Sequence, residues 1–201
     1  YNSTVSNNTA GQKGGGVYSS GRCVGDQSTF STNTATGLGG GIYGYKDPDP
    51  ALENNNYLEL NWTTVGYNKG AGSGGVYLDN VNNTQTRSSI IAKNQLPTGA
   101  FVDYVGSPHT QDPDDHPAYK SVFGEITGTV YRWYDIIHLS NILPLANNGG
   151  PTKTHEIPTT SSALNKFVEG DDWHCLATDQ RGLPRPRPVG AACDLGSYER
   201  Q

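Results

Sequence analysis

The residues that could do chemistry are few and unevenly placed. Asp112, Asp114 and Asp115 crowd one proline-containing stretch, with His109 and His116 on either side. Clustered carboxylates could supply the oxygen ligands that Ca²⁺ takes, but the run lacks the spacing and the glycine of an EF-hand loop. Acids gathered in an insertion more often form a solvated loop. The five histidines (109, 116, 138, 155 and 174) show no tight metal spacing. Hydrolysis of a glycosidic bond would need two carboxylates roughly 5–5.5 or 6.5–9.5 Å apart across one cleft. Asp26, Glu59 and Asp79 do not recur at a common repeat position, and no nucleophile motif is evident. The expectation is a chain that is not an enzyme and has no cofactor, with Ca²⁺ at the three aspartates as the alternative.

Two other residue types recur at regular places. Tyrosine closes a repeated phrase, read as Gly14-Gly15-Gly16-Val17-Tyr18, Gly39-Gly40-Gly41-Ile42-Tyr43 and Gly74-Gly75-Val76-Tyr77, at intervals of 25 and then 34 residues. Asparagine follows an apolar residue by three positions: Val5 with Asn8, Phe30 with Asn33, Val65 with Asn68 and Ile91 with Asn94. From Asn to the next apolar anchor is nine residues twice (Val17, Ile42) and eight residues twice (Val76, Val102). Stacked asparagines could form a hydrogen-bonded ladder, and the Asn side chain tolerates the left-handed conformation of a tight corner. Tyr18, Tyr43 and Tyr77, one position beyond inward Val17, Ile42 and Val76, should point outward in one column. Such a column is a self-stacking ladder or, alternatively, a sugar-binding platform.

Positioning these columns requires a repeat architecture. Each copy reads strand, Asn turn, Gly-rich bend, second strand, and the expected fold is an all-β, right-handed parallel β-helix. Only 33% of the residues are hydrophobic and Gly numbers 26. A solenoid tolerates this composition because neighbouring coils share one core. The 201 residues suit a single domain: repeat rungs over 1–102, an insertion and later strands over 103–140, and a C-terminal block over 141–201. A further insertion runs from Gly44 to Glu59. Strand character returns at Ser121-Val122-Phe123-Gly124 and from Ile126 to Tyr134.

The net charge of −5 without a basic stripe argues against nucleic-acid binding. No apolar run reaches the ~20 residues of a membrane helix. The chain holds no Met and nothing like a signal peptide, and the expectation is a processed or truncated piece of a longer protein. Of three cysteines, Cys175 and Cys193 lie in the irregular C-terminal part and form the expected disulfide, worth roughly 3 kcal/mol in the chain-entropy model. Cys23 is left as a loop thiol or an intermolecular crosslink. Asn2, Asn7, Asn61 and Asn82 fit the Asn-x-Ser/Thr glycosylation pattern, which arises readily by chance in so Asn- and Thr-rich a chain.

The segment Leu145-Ala146-Asn147-Asn148-Gly149-Gly150-Pro151-Thr152-Lys153-Thr154-His155 is followed by Ser161-Ser162-Ala163-Leu164, Thr178-Asp179-Gln180-Arg181-Gly182-Leu183-Pro184-Arg185-Pro186 and Cys193-Asp194-Leu195-Gly196-Ser197-Tyr198-Glu199. This series resembles the C-terminal region of bacterial surface β-helix proteins of the choice-of-anchor Q type. The rungs look like the repeats of polymorphic outer-membrane proteins. The resemblance implies an extracellular or cell-surface protein of structural or adhesive character. The anchor that such proteins often carry after this motif is not seen before Gln201. Arg181, Arg185 and Arg187 among prolines, with Asp179, Asp194 and Glu199 as partners, suit an irregular cap that blunts the end of the solenoid. His155 is expected to hydrogen-bond within it. The functional expectation is a structural subunit self-associating end to end through open strand edges of its first rung. The alternative is an adhesin meeting glycans or a host surface, with a polysaccharide lyase or glycosidase behind both.

Overall fold

A computed structural model describes residues 1–46, 49, 57–81, 83–106, 118–119, 121–127, 136–138, 141–167, 175–185 and 192–201. Every described element is a strand, and the chain visits its sheets in rotation. One circuit carries β1 (Thr4–Ser6), β2 (Thr9–Ala10), β3 (Val17–Ser19) and β4 (Arg22–Asp26). The next carries β5 (Thr29–Ser31), β6 (Thr34–Leu38), β7 (Ile42–Tyr45) and β8 (Tyr57–Asn61). A third carries β9 (Thr64–Gly66), β10 (Lys69–Ala71), β11 (Val76–Asp79) and β12 (Asn83–Arg87). Then come β13 (Ile90–Ala92), β14 (Tyr104–Val105), β15 (Ala118–Tyr119), β16 (Ser121–Phe123), β17 (Ile126–Thr127) and β18 (Ile136–His138). A separate antiparallel pair, β19 (Leu145–Ala146) and β20 (Thr154–His155), follows.

Corresponding strands pair in parallel. The first sheet has the order β1-β5-β9-β13-β16-β18, the second β10-β6-β2, the third β17-β14-β11-β7-β3 and the fourth β15-β12-β8-β4. Val5, Phe30, Val65, Ile91 and Phe123 stand in register, and each packs into one shared core with Ile42, Val76 and Leu60. Strand alternation sends one residue per short strand inward, so a third of hydrophobic residues suffices.

Left-handed residues turn the chain at two corners of the first sheet. Asn7, Thr32, Tyr67 and Lys93 have φ of 59°, 55°, 59° and 64°. The sequence reading assigns that conformation to the asparagine; the residue immediately before it takes it instead, and Asn33, Asn68 and Asn94 are thereby buried in the corner. A non-glycine residue there costs roughly 1–2 kcal/mol, so the corner bonds must hold it. At the opposite corner, Asn2, Gln27, Trp62 and Ser88 are left-handed and precede a second ladder. In it, the Ser3 N–H donates to Ser28 Oγ, the Thr63 N–H to Ser89 Oγ and the Ser89 N–H to Ser121 Oγ.

The fourth circuit departs from the expected register. Tyr104, not Val102, pairs with Val76, because a loop closed by Leu96 N–H to Ala100 O replaces the strand of the second sheet. The shift of two residues keeps the same face inward. Tyr104 and Val105 are therefore part of the sheet stack, although the sequence reading places them in an insertion.

The C-terminal block lies along the side of the stack, not across its end as a cap would. Gly196 N–H bonds Ser88 O, Ser197 Oγ reaches Thr64, Gln180 reaches Thr29 and Thr4, and His155 reaches Ser31. These contacts run from the corner that precedes β13 across β9, β5 and β1 on the outer face of one sheet. A second apolar core forms there from Ile90, Ala92 and Val122 below and Ile157, Ala163, Phe167 and Leu195 above. The Cys175–Cys193 disulfide is formed within it.

Candidate functional site

The asparagines form one continuous chain of amides. Asn8 Nδ2 donates to Asn33 Oδ1 at 2.9 Å, Asn33 Nδ2 to Asn68 Oδ1 at 3.0 Å, and Asn68 Nδ2 to Asn94 Oδ1 at 2.9 Å. Each receiving oxygen also accepts the backbone N–H of the preceding asparagine. The same amides donate to the carbonyls of Val5, Phe30 and Val65. Glycine is required opposite this column. A Cβ on Gly75 would stand 2.2 Å from Asp103 O and 2.8 Å from Asn94 Nδ2, inside the contact distance of any real side chain.

Asp103 ends the ladder. Its Oδ1 accepts Asn94 Nδ2 at 2.8 Å and Asn94 N–H at 2.7 Å, and its Oδ2 accepts the Glu125 N–H at 2.8 Å. Burial pushes its carboxyl up to about 6. No signal in the sequence singles it out, because it follows the loop that breaks the repeat.

The tyrosine column is stacked but mostly covered. Tyr18 and Tyr43 have ring centroids 5.3 Å apart, and Tyr43 and Tyr77 5.9 Å. Tyr43 is fully buried between its neighbours, accepting from Lys13 Nζ and donating to Asp79 Oδ2, each at 2.7 Å. Only Tyr18, 55% exposed, offers an open ring. As a sugar platform the column is therefore short.

Among the described residues of the C-terminal block, two arginines and two carboxylates are paired internally. Arg185 pairs with Glu199 and Arg181 with Asp179, both at 2.7 Å, and the two guanidiniums lie over Trp62 and Tyr198. Burial, then the neighbouring Asp194, pushes Glu199 up to about 7 against the pull of Arg185. His155, stacked on Tyr67, bonds Leu143 O through Nδ1 and Ser31 Oγ through Nε2. Burial lowers it to about 4, so the ring is neutral and acts as a clasp onto β5, a strand that lies outside the C-terminal block.

No protein-family model, curated protein or solved structure matches the chain. Among the described residues no group of three His, Cys, Asp or Glu could hold a metal ion; Asp112, Asp114 and Asp115 lie outside them, as does Arg187. Glu59 is held by Arg22, Arg87 and Asn61 on the fourth sheet, while Asp79 sits on the third. Cys23 lies on β4, not in a loop, and packs against the inner core, where burial raises its thiol pKa. Its strand carries little local strand signal and exists through pairing with Tyr57–Asn61.

Proposed function

We propose that this chain is a right-handed parallel β-helix acting as a non-catalytic extracellular scaffold, the character implied by its resemblance to choice-of-anchor Q type surface proteins. The observation that carries the reading is the amide ladder from Asn8 to Asp103. The polar residues that recur from circuit to circuit are spent on holding circuits together. The Cys175–Cys193 disulfide supports an oxidising compartment.

Within this reading, assembly proceeds by stacking of further circuits on the edges that β1, β2, β3 and β4 present. The chemistry is the same whether the added circuit comes from the same protein or from another copy. Light scattering of the purified chain over a range of concentrations tests the assembly part. Mass that grows with concentration supports it, and a dilution-stable monomer sinks it. Release of oligosaccharides from any acidic or neutral polysaccharide incubated with the chain would overturn the non-catalytic part.

A further inference from the structure

A groove crosses the corner outside the asparagine ladder, with a volume of about 510 Å³, within the range of roughly 300–1,000 Å³ usual for ligand sites. Its floor is built from two outward columns on successive circuits: the left-handed residues Thr32, Tyr67 and Lys93, and the paired residues Thr34, Lys69 and Gln95. Phe101, carried by the loop that replaces a strand, forms one wall, and Asn141 and Leu143 of the C-terminal block form the other. Tyr67 is fixed by its hydroxyl, which donates to Ile142 O at 2.7 Å.

The lining of this groove carries two lysines and no carboxylate. Each described arginine lies within ion-pair distance of a carboxylate. Among the described residues neither Lys69 nor Lys93 has such a partner. Lys93 Nζ instead sits 5.7 Å from the Phe101 ring centre. Two ammonium groups brought into one concave lining that holds no carboxylate select for an anion.

We propose that this groove binds an acidic oligosaccharide. The Thr34 hydroxyl and the Gln95 amide stand on the floor beside the two lysines, and the aromatic wall offers an apolar face to sugar C–H groups. An extended peptide is disfavoured because Thr34, Lys69 and Gln95 are bridged to one another across the floor, and the open edge of this sheet, at β2, lies outside the groove. The site lies on a different face of the chain from the tyrosine column.

Calorimetric titration with oligogalacturonate, a sulfated galactan fragment and neutral oligogalactose tests it. Binding of either acidic sugar but not the neutral one is expected. Lys69→Gln and Lys93→Gln should each weaken binding about fivefold, Lys93→Arg should retain it, and unfolding midpoints should be unchanged. Equal binding of the neutral sugar, equal binding of an oligoaspartate, loss of binding in Tyr18→Ala but not in the lysine variants, or no binding at all would each overturn the proposal. Shortening of a bound sugar would leave the groove standing and remove only the non-catalytic reading.

Discussion

Asp103 receives both the backbone and the side-chain N–H of Asn94, at 2.7 and 2.8 Å, and so stands where the amide ladder would otherwise need another asparagine. A carboxylate fits because Oδ2 faces a further donor, the Glu125 N–H. In Asp103→Asn, an amide that keeps Oδ1 toward Asn94 turns its own N–H groups against that donor. The expected loss is about 1–3 kcal/mol, read as a lower denaturation midpoint with an unchanged denaturant slope.

The same carboxyl and His155 give opposing pH dependences. Asp103 rises from 3.8 to about 6 on folding, so its contribution is full below about 3.8 and is lost as pH climbs to about 6. His155 falls from 6.5 to about 4, so its contribution is full above about 6.5 and is lost as pH drops toward 4. Stability of His155→Gln should therefore decline more steeply from pH 4 to 6 than that of the parent. Stability of Asp103→Asn should rise more steeply over the same window. Urea melts at half-unit pH steps would check both signs.

Gly75→Ala should be among the most damaging single-methyl additions. Its Cβ meets backbone oxygen and a buried amide rather than a flexible side-chain end, so neither neighbour can yield cheaply. A loss of at least about 2 kcal/mol is expected. Gly11→Ala, with nothing within 4 Å of the added carbon, serves as the control and should change the midpoint little.

Replacing both Cys175 and Cys193 by Ala opens an 18-residue separation and should cost about 3 kcal/mol. The loss falls first on the C-terminal block. Trp62, edge-on to Phe167 and beneath Arg185, should become solvent-accessible before the circuits unfold, giving a fluorescence transition ahead of the loss of β-sheet circular dichroism. Coincident transitions would show that block and stack unfold as one unit.

The stacked circuits were legible in the sequence because they repeat one local constraint. An apolar residue, an asparagine three places on and a glycine opposite must return whenever the chain comes round, and strand pairing then aligns Val5, Phe30, Val65 and Ile91. Legibility failed where the constraint was met once. Val102 looks like the next anchor, yet Tyr104 takes that place through a loop with no counterpart in the other circuits. Cys23 lies in a strand created wholly by its partner.

By itself, the sequence determined the parallel register of β1, β5, β9 and β13 and of β3, β7 and β11, the stacking of Asn8, Asn33, Asn68 and Asn94, and the chemistry available to the C-terminal charges. Only the tertiary structure decided where that C-terminal block sits, that Asp103 closes the ladder, and that Lys69 and Lys93 share a groove. The physical reason is separation along the chain. Thr29 with Gln180 is a single contact across 151 positions, and nothing periodic announces it. Burial of Ile90 and Val122 on the outer face of a sheet supplies the driving force, and that face exists only once the strands are paired.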